Sequence, residues 1–190
     1  APRVGDRAPV FGLGLVGLLT ARLLCDFPLA RLVAVEPLAW RREQASRWGI
    51  AETVDSSAVE TCDRLASLDA DLALELSGDM AALNLAIESV GFDGRVLVGS
   101  WYGTRTSPLD LGSRFHRNRV RLVASQVSTI APGLAGRWTK GRRMGLAWRT
   151  LERLQPQRLT SRFFALEQCQ AAFETLAARP QGVMQIGFRY

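Results

Sequence analysis

Lysine is almost missing from this chain: of its 24 basic residues only Lys140 is a lysine. Histidine is as scarce, with His116 alone. The three cysteines, Cys25, Cys62 and Cys169, are widely spaced, odd in number and form no CxxC pair. That excludes a disulfide framework and a structural zinc site of the usual spacing. Reduced, partly buried thiols of a cytoplasmic protein are the expectation, with Cys62 and Cys169 in helical contexts as packing residues. No apolar run reaches about 18 residues, so no membrane span is expected, and no signal peptide opens the chain. The net charge of +6 raises the question of nucleic acid. The arginines are scattered, however, and no nucleic-acid partner is expected. At most, residues 114–121 form a basic edge that attracts an anion.

What remains is an ordinary globular composition, 47% hydrophobic over 190 residues. That length suits one domain with a short appendage. The apolar segments alternate in kind. Strands are expected at residues 8–11, 32–35, 72–76, 96–98 and 120–124, with a shorter one within 50–55. Helices are expected at 15–24, 38–48, 79–90 and 140–154. Gly49 and Gly91 are placed to stop the second and third of these helices. Strand alternating with helix at this spacing predicts an α/β fold, a doubly wound parallel sheet of Rossmann type with helices on both faces. After Pro156 the pattern changes to strand (159–163), helix (166–178) and strand (183–188). The organisation expected is residues 1–156 as one domain and 157–190 as a segment that docks elsewhere.

Between the first strand and helix stands Gly12-Leu13-Gly14-Leu15-Val16-Gly17, a full GxGxxG. Such a hexamer is weak evidence alone. Here a strand precedes it, a helix opens inside it, and Glu36 ends the next strand about 20 residues on, the context of a dinucleotide site. Gly12 permits the tight turn, Gly14 removes the Cβ that would block a pyrophosphate, and Gly17 lets helix pack on strand. The N–H groups of Leu15 and Val16 then face the phosphates at the helix N-terminus. Glu36 can accept from the adenosine ribose hydroxyls. Its charge would repel a 2′-phosphate, which favours NAD over NADP. Arg41 and Arg42 pull the other way by neutralising Glu36 or clamping a phosphate; a solvated helix face is their alternative. Ser77, Gly99, Ser100 and Trp101 follow later strands and should border the same crevice, beyond the carboxyl ends. Trp101 and Tyr102 either wall a nicotinamide ring or pack. His116 reads as an exposed base in an arginine-rich lead-in to a strand.

Three stretches of the chain resemble the medium-chain dehydrogenase/reductase family, the zinc-type alcohol dehydrogenases. They are Gly5-Asp6-Arg7 with the 10–17 motif; Val35-Glu36-Pro37 with Arg41; and Phe164-Ala165-Leu166-Glu167-Gln168-Cys169-Gln170-Ala171-Ala172-Phe173. The resemblance implies reversible hydride transfer between an alcohol or carbonyl substrate and NAD(P). It also implies a zinc ion and substrate-activating groups in an N-terminal domain that these residues do not contain. The glycine motif lies so near the first residue that the chain is expected to be a piece of a longer polypeptide, inactive alone. The family also implies a homodimer, joined through the outer strand around Val120, Arg121, Leu122, Val123 and Ala124. Two other readings stay open: a non-catalytic NAD-binding sensor or interaction module, and an S-adenosylmethionine methyltransferase. The latter calls for a reversed final strand.

Overall fold

A computed structural model describes residues 2–178 and 180–190. The chain divides into two compact units, residues 1–125 and 126–190. The sequence pattern changes later, at Pro156, so the helix at 140–154 groups with the second unit.

The first unit runs β1 (Arg7–Phe11), α1 (Leu15–Cys25), β2 (Arg31–Val35), α2 (Ala39–Arg47), β3 (Thr53–Val54), α3 (Thr61–Ala66), β4 (Ala70–Glu75), α4 (Met80–Ser89), β5 (Val90–Val98), α5 (Arg114–Arg117) and β6 (Arg121–Ala124). Its six strands lie in the order β3-β2-β1-β4-β5-β6, and every pairing is parallel. The central strands are mostly apolar and buried, as a sheet covered on both faces requires, although β4 carries Asp71 and Glu75. In β1 all four residues after Arg7 are buried. From β1 the chain winds outward to β3 on one side, then crosses to β4 and winds outward to β6. The topological switch point therefore lies between β1 and β4.

Register fixes what meets there. Phe11, the last residue of β1, pairs with Val35 on one side and Glu75 on the other. Glu75 pairs in turn with Val98, and Val98 with Ala124. The strands thus end level. Gly12, Glu36, Leu76 and Gly99 each come next, in one row along the carboxyl edge.

The helices hold this edge by their apolar faces. Helix α1 buries Gly17, Leu18, Ala21 and Leu24, one stripe at helical spacing. Helix α4 buries Leu83, Ala86 and Ile87. Its first turn is capped by Asp79, whose side chain accepts from the Ala81 N–H at 2.9 Å. Phe11, Val33, Leu65, Leu83, Ile87, Val96 and Val120 share one core cluster.

Several local expectations are corrected. Gly91 does not stop α4, because the chain passes directly into β5 at Val90. Gly91 sits in that strand, where a Cβ would lie 2.3 Å from Asp69 Oδ1, so a larger residue there would push the Asp69 side chain aside. His116 is exposed on the single turn of α5, in the arginine-rich lead-in to β6. Helix α3 forms around Cys62, but Cys25, Cys62 and Cys169 are all exposed and none is a packing residue.

In the second unit, α6 (Lys140–Leu154) is capped at its start by Thr139 Oγ1, which accepts from the Arg142 N–H at 3.1 Å. It ends where Gln155 turns left-handed (φ 51°) before Pro156. Then β7 (Thr160–Ala165), α7 (Cys169–Ala177) and β8 (Gln185–Arg189) form a β-α-β unit with the two strands parallel. Its described core is small: Leu159, Ala172 and Val183 are its buried apolar residues.

Candidate functional site

The three glycines of the turn after β1 meet different surroundings. Gly12 has φ +88°, and a Cβ there would stand 2.5 Å from the Ser77 Cα. At Gly17 a Cβ would stand 1.8 Å from the Gly12 carbonyl oxygen. These two glycines are compelled by backbone packing on backbone. Gly14 is not. Its backbone is extended (φ −64°, ψ −175°), open to any residue. A Cβ there would meet only the Arg41 Nη1, 4.0 Å away. Helix α1 opens directly behind it, without a side-chain cap on its first N–H groups. Open space over Gly14, beside the amino end of an 11-residue helix, favours an anion.

On the β2 side stands Glu36, 2% exposed. Its Oε2 accepts from the Leu13 N–H at 2.7 Å and its Oε1 from the Leu38 N–H at 3.2 Å. The carboxylate thereby ties the glycine turn to the end of β2. Arg41 Nη1 lies 3.6 Å from Oε2, and its Nε is buried with no hydrogen-bond partner. Arg42 is spent elsewhere. Its Nη1 donates to the carbonyls of Glu36 (2.8 Å) and Pro37 (2.7 Å), and its Nη2 pairs with Asp55 at 2.9 Å. Neither arginine is a solvated face. Arg41 points at the crevice; Arg42 braces the edge of the sheet.

On the β4 and β5 side, Ser77, Gly99 and Ser100 come together. Gly99 donates its N–H to the Glu75 carbonyl at 2.9 Å, and Gly78 donates its N–H to Ser100 Oγ at 2.8 Å. A Cβ at Gly99 would lie 2.4 Å from Leu76 Cδ2. Trp101 projects from this edge, 89% exposed. Beneath lies a residue that the sequence pattern passes over as mere strand: Glu75, fully buried. Its Oε1 accepts the Ser77 N–H at 2.7 Å and the Ser77 hydroxyl. Its Oε2 accepts the Tyr102 hydroxyl. Tyr102 packs on the core cluster and is not a free ring wall. Burial, then the hydrogen bond to Glu75 and its charge, push the Tyr102 phenol well above the usual tyrosine range. A charge inside an apolar strand is the signal that could have marked Glu75, since such groups persist only when fully paired.

Among the described residues no group of three or more His, Cys, Asp or Glu side chains is placed to hold a metal ion. No described helix is long and apolar enough to cross a membrane.

Strand order, level carboxyl edge and glycine turn define a Rossmann-type α/β domain. Residues 12–139 match the family of zinc-binding dehydrogenases, and the chain belongs to that family. The chain is 25% identical over 153 residues to D-guloside 3-dehydrogenase of Escherichia coli, covering 78% of this chain and 44% of that protein. It is 32% identical over 105 residues to alcohol dehydrogenase of Malus domestica, covering 52% of this chain and 28% of that protein. Among solved structures, a zinc-dependent alcohol dehydrogenase from Streptococcus pneumonia superposes with TM-score 0.78 at 22% identity, over 97% of this chain and 52% of that one. For 2R,3R-butanediol dehydrogenase from Bacillus subtilis the values are 0.74 and 20%, over 100% and 52%. The chain therefore spans about half the length of such relatives or less.

Proposed function

We propose that this chain is the NAD(P)-binding half of an alcohol dehydrogenase-like oxidoreductase. The observation that carries the reading is Gly14. It is a glycine with no backbone or packing reason to be one, and the space over it is bounded by a helix N-terminus and Arg41. A pyrophosphate there is met by the N–H groups of Leu15 and Val16, and Arg41 is within reach of it. The two Glu36 oxygens each accept one N–H, which leaves lone pairs for ribose hydroxyls. Ser77, Gly99, Ser100 and Trp101 line the far side. When bound there, the nicotinamide supplies the hydride acceptor or donor. The chain's own task is to bind and orient the cofactor so that its ring faces an alcohol or carbonyl substrate. The described residues do not fit a zinc site, and this reading assigns them no part in polarising the substrate oxygen.

NAD is the favoured cofactor because the Glu36 carboxylate sits where a 2′-phosphate would need to approach. The test is titration with NADH and NADPH by calorimetry. Tighter NADPH binding would put Arg41 in command of the site, and no binding of either would end the reading. A chain that binds NADH but has no substrate-activating half in its full-length product would be the sensor. The methyltransferase reading loses its support in β6, which runs parallel to β5.

The dimer belongs to this proposal too. The sheet ends at β6, with Leu122 and Val123 exposed by 37% and 43%. An open apolar edge favours pairing with its two-fold mate. Sedimentation should show a dimer that Leu122→Pro makes monomeric. A wild-type protein that stays monomeric at high concentration would refute it.

A further inference from the structure

We propose that Glu75 and Tyr102 are positioning residues: their hydrogen bond clamps the segment after β5 onto the segment after β4 and so sets the nicotinamide end of the crevice before any ligand arrives. This rests on the reading of the crevice as a nicotinamide dinucleotide site.

The geometry is specific. Past the end of β5 the chain has left the sheet, and Ser100 to Tyr102 would be an ordinary solvated turn. Instead three sets of bonds draw it down. Gly99 N–H reaches the Glu75 carbonyl (2.9 Å). Ser100 Oγ accepts from Gly78 N–H (2.8 Å) and donates to the Glu75 carbonyl (3.4 Å). The Tyr102 hydroxyl reaches the Glu75 carboxylate at the base of the site. The same carboxylate holds Ser77 by its N–H and its hydroxyl. Ser77 Oγ then accepts the Asp79 N–H at 2.9 Å, at the start of α4. One buried group thus holds the segments after β4 and β5 together on one side of the crevice. Tyr102 extends the arrangement, because its carbonyl accepts from Arg105 Nε at 3.1 Å.

The role is positional and not acid–base. The Tyr102 proton is held by Glu75, and the Ser77 and Ser100 hydroxyls both donate within the network. None of these protons is offered to the crevice. A buried carboxylate is costly unless fully paired, and an apolar residue would fill a strand end more cheaply. What the carboxylate adds is direction: two hydroxyls and an N–H converge on it with little latitude.

The test uses the intact protein, Tyr102→Phe and two ligands, at a temperature well below unfolding. NADH spans the whole crevice; AMP occupies only the Glu36 side. Tyr102→Phe should bind NADH about tenfold more weakly, the loss of one charge-assisted hydrogen bond's worth of preorganisation, and AMP within about twofold of wild type. Hydrogen exchange on the ligand-free proteins gives a second readout. The variant should exchange faster across residues 99–105 and unchanged across residues 12–36. Equal loss for both ligands would mean a general structural role and overturn the clamp. So would unchanged NADH binding, or unchanged exchange at residues 99–105. A wild-type protein that fails to bind NADH would overturn the cofactor reading itself, and the clamp with it.

Discussion

Two buried glutamates stand on either side of β1, each at the carboxyl end of a neighbouring strand, and they are wired differently. Glu36, on the β2 side, draws in backbone N–H groups of Leu13 and Leu38 and faces the Arg41 guanidinium. Glu75, on the β4 side, draws in two hydroxyls and one N–H from Ser77 and Tyr102. Glu36 keeps an arginine and spare lone pairs at the crevice. Glu75 keeps nothing for a ligand. On the proposed reading, the same residue type at neighbouring strand ends contributes contact on one side and rigidity on the other. Partners decide which.

The glycine turn between the two lips allows the sharpest separation of shape from contact. Gly17→Ala places a Cβ 1.8 Å from a backbone oxygen with nowhere to retreat. It should destabilise the protein by about 3 kcal/mol or more, and chemical denaturation would measure it. Gly14→Val adds more bulk, yet only into open space and in an extended conformation that valine accepts. It should cost about 1 kcal/mol or less, the change of residue at a helix N-cap, while NADH binding falls below detection. A Gly14→Val protein that bound NADH normally would remove the observation on which the cofactor reading stands.

The Glu75 side is next in size. Tyr102→Phe strands one buried carboxylate oxygen, which costs about 1–3 kcal/mol at neutral pH. Its pH dependence has a definite sign. The folded state raises the Tyr102 pKa, so the stabilisation is complete below the unfolded tyrosine value of about 10 and is lost as pH rises beyond it toward the folded value. The stability gap between wild type and Tyr102→Phe should therefore narrow above about pH 10. A gap that stayed constant from pH 7 to 11 would mean that the phenol is not bonded to the carboxylate.

The two sides also differ in how much the sequence discloses. Strand and helix alternation, the glycine turn and Glu36 are visible because each obeys a spacing rule. Helix α6 is legible to the residue, from Lys140 to Leu154, because a threonine precedes it and a proline follows. Glu75 obeys no spacing rule. Its meaning depends on Tyr102, 27 residues away, and only the parallel β4–β5 pairing brings them together. Gly91 misleads for a related reason: a glycine after an apolar helix imitates a helix stop, whereas this one lies inside β5, close against the Asp69 side chain. Likewise, the helical context of Cys62 does not reveal that its own side chain turns to solvent.

On the Glu36 side a smaller effect is expected, one of selectivity. Glu36→Gln removes the charge while keeping one acceptor oxygen, and leaves Arg41 without its partner. The ratio of NADPH to NADH affinity should rise by about tenfold, the weight of one charge at the 2′ position. Adding Arg41→Ala should undo most of that gain. If Glu36→Gln weakened both cofactors equally, Glu36 would be a brace like Glu75, and the contrast between the two sides would collapse.

Glu52 offers the partly exposed counterpart and the smallest effect. It precedes β3, where its carboxylate accepts a bidentate pair from Arg31 (2.9 and 2.8 Å) and a third bond from Arg64 (2.7 Å). With a quarter of the side chain open to solvent, screening limits what these bonds contribute. The Arg31 hydrogen bonds, chiefly, and those of Arg64 hold its carboxyl below the usual glutamate range. A lowered folded pKa means stabilisation that is present above the unfolded value of about 4.3 and lost as pH falls through the folded one. Glu52→Gln should thus cost about 0.5 kcal/mol at pH 7 and almost nothing below about pH 3, with the difference diminished by salt. Denaturation curves at the two pH values would measure it. A Glu52→Gln penalty as large as that of Tyr102→Phe would show that burial is not what separates the strong carboxylates from the weak one.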